Sequence, residues 1–444
     1  MKRVFIANRG EIAVRIVRAC RALGLECVVG VSDIDRGSMA ARLADRSVCI
    51  GAASAGESYL RDDFVVQAAL GTGCDAVHPG YGFLAESARL AGRALANGLI
   101  FVGPPPEVIE LTGDKLRARE QARLAGLPVL AGHAVDSGSD AAALAAEVGY
   151  PVLLKAVGGG GGRGIKLVHD DAELPVLFVL ARAEAQAAFD DDRIYVERFI
   201  ACARHVEVQI AADAHGHVVH LGERDCSIQR RYQKLVEEAP APVMAEELRT
   251  AICQAAVRLG EELGYRNLGT VEFVLDGASG EFFFLEVNCR IQVEHPVTEE
   301  LTGRDLVALQ LRLADGEPLG FGQGDVQFGG HALECRLCAE DPAHDFRPSP
   351  GRLTAFSVPV IEGLRVDTHC EPGTLIPPYY DSLMAKLIAH AGDRDGARSL
   401  MLEALDQLEV EGVACNRTAL IEVLRHPDFA AGGLPTDWLA RAVA

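Results

Sequence analysis

The run Glu286-Val287-Asn288-Cys289-Arg290-Ile291-Gln292-Val293-Glu294 alternates polar and apolar residues without a break. Side chains alternate faces along an extended chain, so Glu286, Asn288, Arg290, Gln292 and Glu294 are expected on one face and the apolar set on the other. A half-buried strand with a solvated polar face has the same pattern. Two features favour chemistry instead. The polar face mixes carboxylates, amides and a guanidinium with no lysine and no serine. It also has a partner, Glu272 in Thr270-Val271-Glu272-Phe273-Val274-Leu275, and the intervening Asp276-Gly277-Ala278-Ser279-Gly280 reads as a turn. A hairpin centred on Ala278–Ser279 brings Glu272 opposite, or nearly opposite, Glu286. Two carboxylates that close need a compensating cation. With the Asn288 amide oxygen they make a hard-oxygen set suited to Mg2+ or Mn2+, and such an ion normally bridges nucleotide phosphates.

A second group of residues suits phosphate. The segment Gly158 to Gly164 is all glycine except Arg163. Backbone N–H groups in such a loop can cradle phosphate oxygens, and glycine permits the close approach. It lacks the Lys-Ser/Thr ending and the following helix of a P-loop. Placed between two strands, it suits a flap over a nucleotide, or simply a flexible hairpin loop. Lys155 stands inside the apolar strand Val152–Ala156 and needs an anionic partner, a phosphate or an edge exit to solvent. Lys115 follows Gly113-Asp114 at an expected helix start, where a surface charge is the ordinary reading. The stretch Glu223 to Lys234 packs four cations into an acidic chain. A solvated surface strand would read the same way. His205 and Glu207 lie on the strand before it. Glu197 ends another, where strand-end residues and apolar backbone can form an adenine slot.

The elements that must position these residues follow from periodicity. Residues 1–110 alternate short apolar strands with helices: Val4–Ala7, Gly10–Leu23, Cys27–Val31, then onward to Leu99–Val102. This βαβ rhythm predicts a parallel sheet covered on both faces, and an α/β class. The first turn, Asn8-Arg9-Gly10-Glu11, lacks GxGxxG, so no dinucleotide site is expected there. Pro104-Pro105-Pro106 punctuates the chain. Long helices are expected near 171–188 and 245–263. The last ~125 residues carry short strands and a helix near Arg394–Leu408.

Composition bounds the rest. The chain has 444 residues, 49% of them apolar and 24% charged, with a net charge of −20. Two to three domains are expected, and no general nucleic-acid binding. The 12 cysteines form no disulfide framework. Cys335 and Cys338 form a CxxC with no second ligand pair at metal spacing, and read as strand residues. The polar N-terminus and the lack of any ~18-residue apolar run predict neither signal peptide nor membrane helix, hence a cytoplasmic protein.

Taken together, these segments resemble the biotin carboxylases, over essentially the whole chain. The motifs are Ala7–Ala13, His78-Pro79-Gly80-Tyr81-Gly82-Phe83-Leu84, Gly158–Gly164, Glu237-Glu238-Ala239-Pro240-Ala241-Pro242, Arg290 to Glu299, Glu334-Cys335-Arg336 and Pro377 to Ser382. The resemblance implies an α/β fold, α+β overall, in three parts. These are a Rossmann-like N-terminal domain over 1–112, an ATP-grasp domain over 113–316 with a glycine-rich lid at about 130–204, and a mixed α+β C-terminal domain over 317–444. It also implies roles. Lys115, Lys155, His205 and the hinge Glu197, Arg198, Phe199, Ile200 would hold ATP, with Gly160, Gly161 and Gly162 in the lid. Glu272 and Glu286 would face the nucleotide and, with Asn288, hold two Mg2+ or Mn2+ ions. Lys234, Arg290, Gln292 and Val293 would hold bicarbonate. Glu294 would deprotonate it, Arg336 would grip carboxyphosphate beside biotin, and Arg290 would stabilise the biotin enolate.

Three departures stand out: Tyr232 where His or Asn is usual, Arg198 where Lys is common, and a longer turn at 277–280. No Met-Lys-Met biotin-attachment hairpin occurs in the sequence. The expectation is therefore a ligase acting on biotin held by a separate biotin carboxyl carrier protein, with a carboxyltransferase subunit receiving the carboxyl group. It would catalyse the first half-reaction of acetyl-CoA carboxylase or a related acyl-CoA carboxylase, in fatty acid synthesis by default, as a homodimer. The competing readings are another ATP-grasp carboxylate–amine ligase and a non-catalytic nucleotide-binding subunit.

Overall fold

The computed structural model describes residues 1–158 and 165–442. Strands β1 (Arg3–Ile6), β2 (Glu26–Ser32), β3 (Arg46–Gly51), β4 (Ala76–His78) and β5 (Ile100–Phe101) form a parallel sheet in the order β3-β2-β1-β4-β5. Alternation along β1 divides its side chains between two cores. Val4 and Ile6 pack with Ile12 and Ile16 of the helix Gly10–Ala22. Phe5 packs with Val65 and Leu90, from the helices Asp62–Gly71 and Ala88–Ala96. Helices on both faces are thus what the buried runs require.

A smaller sheet, β6-β9-β7-β8, is built from β6 (Gly132–Val135), β7 (Val152–Ala156), β8 (Ile165–Val168) and β9 (Ile194–Arg198). The helices Gly138–Val148 and Leu174–Phe189 close its apolar face through Ala141, Ala145, Leu174 and Phe178.

The third sheet carries most of the candidate site. It contains β10 (Ala203–Ala212), β11 (Val218–Arg230), β12 (Gln233–Ala239), β13 (Asn267–Asp276), β14 (Phe282–Asn288) and β15 (His331–Cys338). Its order is β14-β13-β10-β11-β12-β15, extended by strands Leu383–Ala391 and Leu364–Thr368. All its pairings are antiparallel. This sheet runs straight across residue 316, so the central and C-terminal segments share one set of strands. That sharing carries Arg336 on β15 toward the hairpin β13–β14. Cys335 and Cys338 are buried, free residues of β15. Among the described residues, no helix is long and apolar enough to cross a membrane.

The helix Lys115–Leu124 starts where the sequence indicates. Asp114 Oδ1 accepts from the N–H groups of Leu116 (3.0 Å) and Arg117 (3.1 Å). This cap satisfies two donors that a helix start otherwise leaves unpaired. Asp114→Ala is expected to cost about 1 kcal/mol of stability, read as a lowered thermal midpoint. An unchanged midpoint would show that the cap contributes nothing.

Candidate active site

The hairpin forms with the expected register. Glu272 stands directly opposite Glu286, and Thr270 opposite Asn288. Asp276 N donates to Glu281 O and Gly280 N to Asp276 O, both at 2.8 Å. Gly280 adopts φ +76°, a conformation that side-chain-bearing residues rarely take. The longer turn leaves the carboxylates aligned.

Strict alternation does not hold, and this corrects the sequence reading twice. Phe273 pairs with Phe284 while Glu272 pairs with Glu286, so Leu285 is an extra residue, a β-bulge. The bulge lets Phe284 face the core while Glu286 faces the site, although the two share parity. The strand then ends at Asn288 rather than continuing to Glu294. From Cys289 the chain is irregular until the helix His295–Thr302, with Pro296 in its first turn. Hydrogen bonds, not strand geometry, gather the remaining polar residues. Arg290 donates to Asn288 Oδ1 (2.7 Å) and Gln292 Oε1 (2.7 Å), and Gln292 donates to Glu272 Oε1 (3.1 Å).

Across four strands the register makes a row: Glu286, Glu272, Glu207, Arg224. Three carboxylates side by side require cations. Arg224, fully buried, donates to Glu207 (2.6 Å), Gln209 (2.9 Å), Thr298 (3.0 Å) and Thr270 (3.2 Å). Lys234 reaches from β12 to Glu207 (2.6 Å), Glu272 (3.2 Å) and Glu294 (2.6 Å). His205 Nε2 lies 2.8 Å from Glu272 Oε2, and Gln229 lies 2.8 Å from its other ring nitrogen. Burial pushes the Glu272 carboxyl up, but Lys234 and His205 outweigh it and hold the group below the usual range. Burial likewise lowers His205, yet Glu272 turns the balance and raises it.

Glu294 is fully buried and held from two sides, by Lys234 on Oε1 and by Arg336 at 3.0 Å on Oε2. Burial opposes its ionisation, but Lys234, Arg336 and Arg224 bring it well below the ordinary carboxylate range. Arg336 also donates to Glu237 Oε1 at 2.5 Å. The backbone carbonyl of Val293 accepts from Lys386 Nζ at 2.8 Å, and Lys386 is itself fully buried. Arg290 donates to Glu86 Oε2 at 3.1 Å, and Glu86 Oε1 accepts from Cys289 N at 3.1 Å.

Toward the smaller sheet, Lys115 Nζ lies 4.0 Å from Glu286. Lys155 does not run to solvent. It is buried between two strands, and its anionic partner is Glu197, which also pairs with buried Arg119. The Glu197 side chain therefore points to these cations. Chain continuity takes Arg198 into solvent, Phe199 to a half-buried position and Ile200 into burial. Gly160, Gly161 and Gly162 lie outside the described residues. Tyr232 sits in the β11–β12 turn at φ +66°, 53% exposed.

A divalent ion fits at the hairpin. Burial raises the Glu286 carboxyl first and the Glu272 charge raises it further, with Lys115 opposing too weakly. Glu286 thus lacks sufficient positive charge, and Glu272, Glu286 and Asn288 offer the hard oxygens that Mg2+ prefers. Sequence reasoning missed Arg119, Glu86 and Lys386, and it placed Glu207, Arg224 and Glu237 in candidate stretches or motifs without giving them a buried charge-pairing role. All are charged; Lys386 stands in a stretch otherwise apolar, whereas Arg119 and Arg224 have charged neighbours.

Three family models match the chain: "Biotin carboxylase, N-terminal domain" at residues 1–109, "Carbamoyl-phosphate synthase L chain, ATP binding domain" at 114–321, and "Biotin carboxylase C-terminal domain" at 334–441. The chain is 48% identical to a biotin carboxylase of Pseudomonas aeruginosa over 444 residues, covering 99% of this chain and 98% of the relative. A Nostoc biotin carboxylase is 46% identical, covering 98% of each. Among solved structures, the biotin carboxylase domain dimer of Hydrogenobacter thermophilus 2-oxoglutarate carboxylase, in complex with MgADP, ADP and bicarbonate, superposes with a TM-score of 0.97 at 43% identity, covering 99% of this chain and 97% of that one. A Campylobacter jejuni biotin carboxylase–β-γ-ATP complex gives 0.97 at 39%, covering 99% and 98%.

Proposed function

This chain belongs to the biotin carboxylase family, and we propose a division of labour among its residues for that family's reaction. It is an ATP-dependent ligase that uses bicarbonate to carboxylate biotin, with Mg2+ as cofactor. One observation carries the residue assignment: a fully buried carboxylate, Glu294, bridges Lys234 and Arg336 beside the Glu272–Glu286 pair.

Lys115, Lys155, His205 and the Glu197–Ile200 segment bind ATP. Glu272, Glu286 and Asn288 hold the divalent ion, which, when bound, neutralises charge on the transferring phosphoryl group. Lys234, Arg290, Gln292 and Val293 orient bicarbonate. Glu294 accepts its proton, which converts a weak nucleophile into one able to attack the γ-phosphorus. The bond from bicarbonate oxygen to phosphorus forms as the bond to ADP breaks. Arg336 holds the resulting carboxyphosphate, whose collapse releases CO2 and phosphate, and the phosphate takes the proton of the biotin urea nitrogen. Arg290 then stabilises the enolate charge on biotin. Water exclusion matters here, because carboxyphosphate hydrolyses readily.

We further propose a separate biotin carrier protein and carboxyltransferase as partners, an acyl-CoA as final acceptor, a homodimer, and a cytoplasmic location. Mn2+ is expected to substitute for Mg2+ at an oxygen-only site. The test is ADP release with ATP, Mg2+, bicarbonate and free biotin. Turnover is expected to require bicarbonate, to rise with biotin, and to vanish on chelation of the metal. Bicarbonate-independent turnover stimulated by an amine would overturn the assignment in favour of another ligase.

A further inference from the structure

Beneath Arg336 lies a pair of carboxyl groups that the mechanism above does not use. Glu237 on β12 and Glu334 on β15 stand directly opposite each other across an antiparallel pairing, and both are fully buried. Directly opposed residues place their Cβ atoms about 5 Å apart on one face. One Glu237 oxygen takes the Arg336 Nε–H at 2.5 Å. The other, Oε2, and both oxygens of Glu334 have no donor among the described residues.

The surroundings of Glu334 differ on its two sides. Along the strands, the next pair on the same face is Ala239 opposite Ala332, and Ile388 is its neighbour on the other flanking strand. These three pack with Val297 and Leu301 as an apolar cluster. The charged groups facing Glu334 are Glu237, Arg336, Glu294 and Lys386. Arg336 is taken by Glu237 and Glu294, and Lys386 by Val293 O and, at 3.2 Å, Glu11. Among the described residues, no cation is left to serve Glu334. A buried acceptor with no donor is destabilising, and more so when charged.

We propose that Glu334 is a positioning residue: a neutral carboxylic acid whose hydroxyl donates to Oε2 of Glu237, fixing Glu237 and through it the guanidinium of Arg336. The hydrogen bond pairs two of the three orphaned oxygens with one proton, leaving only the Glu334 carbonyl oxygen without a donor, and it needs no proton transfer. It leaves Glu237 as the sole anion on that side of Arg336, opposite Glu294. Protonation is consistent with the local electrostatics. Burial pushes the Glu334 carboxyl well above its ordinary range, with Glu237 and Glu294 adding to the effect and Lys386 and Arg336 opposing it. Glu237 is pushed up to about 7, by burial first, against Arg336. Two adjacent buried carboxyls sharing one proton is the expected outcome.

The role of Arg336 rests on the proposed function, but the protonation state of Glu334 does not. The first measurement is therefore infrared spectroscopy of the whole protein at about pH 8, where ordinary carboxyls are ionised. A carboxylic-acid carbonyl band is expected in the wild type and expected to disappear in Glu334→Gln. Its absence in the wild type overturns the proposal. The second is kinetic. Glu334→Gln keeps a donor and should retain kcat and the biotin KM within about threefold, whereas Glu334→Ala should lower biotin-dependent kcat by about tenfold or more. ADP affinity should stay unchanged in both, and the pH profile of biotin carboxylation should shift only in Glu334→Ala. Equal losses in both variants would show that Glu334 acts as an anion and sink the idea. If Glu334→Ala does not fold, the glutamine variant and the infrared band still decide. A wild type without bicarbonate-dependent turnover would refute the functional reading alone.

Discussion

Glu294→Gln is expected to lower kcat by about 10²–10⁴-fold, with ADP affinity within about threefold of wild type. The substitution keeps the side-chain shape and one acceptor, so Lys234 and Arg336 remain anchored by Glu207, Glu272 and Glu237. What is lost is the ability to take a proton. The resting electrostatics make this role conditional. Lys234, Arg336 and Arg224 hold Glu294 well below the usual range, so it is ionised throughout the neutral region but a poor proton acceptor in the empty site. Bicarbonate and the ATP phosphates bring new anions that compete for the same two cations. As Lys234 and Arg336 are shared with them, proton affinity of Glu294 rises where and when it is needed. The free-enzyme profile of kcat/KM for bicarbonate should accordingly show no acid limb from this group near neutrality. A glutamine variant within tenfold of wild-type kcat would remove Glu294 from the base role. An acid limb near neutrality that vanishes in the glutamine variant would refute the electrostatic account.

The part of this site visible in the sequence was the part encoded locally. A five-residue turn between two strand-like segments is enough to place Glu272 opposite Glu286, because register follows from the turn. The bulge at Leu285 carries no such signal. Phe282, Phe284 and Glu286 have the same parity, and only the pairing of Phe273 with Phe284 reveals the extra residue. The alternation continues to Glu294 because polar residues gathered by hydrogen bonds leave the same pattern as a strand. Arg224 and Glu207 were harder still. Read alone, each is a surface charge, and their burial follows only from partners on segments up to 74 residues away in sequence. Lys386 is different, since it stands in Leu383-Met384-Ala385-Lys386-Leu387-Ile388, the same buried-lysine signal that singled out Lys155. The signal was present, but its partner, a backbone carbonyl next to Glu294, could not be inferred. Nor could composition show that one sheet spans residue 316, which is why Arg336 arrives beside Glu294 from a segment that reads as separate.

Lys234→Ala is expected to cost about 3–5 kcal/mol of stability and to abolish turnover, and its pH dependence should reveal why. Among the described residues, Lys234 is the one cation shared by Glu207, Glu272 and Glu294. In the wild type, Glu272 and Glu294 titrate below the ordinary carboxylate value, owing to Lys234 among others. Their contribution is therefore fully present above an unfolded pKa of about 4.3, and is lost as pH falls below it through the folded values. Removing the ammonium weakens this effect, although His205 still faces Glu272 and Arg336 and Arg224 still face Glu294. With burial opposed by fewer cations, the folded carboxyls bind protons more readily than in the wild type, so the variant gains less stability as pH rises above about 4.3. The gap in thermal midpoint between wild type and variant should therefore be wider at about pH 8 than at about pH 5. A gap independent of pH would mean that Lys234 contributes packing rather than charge. A second substitution separates folding from chemistry. Adding Glu207→Gln to Lys234→Ala removes one of the three carboxylates deprived of the ammonium but also one partner of Arg224. Partial recovery of the midpoint without recovery of turnover is expected, because stability depends on total charge in the row whereas bicarbonate needs a cation at the Lys234 position.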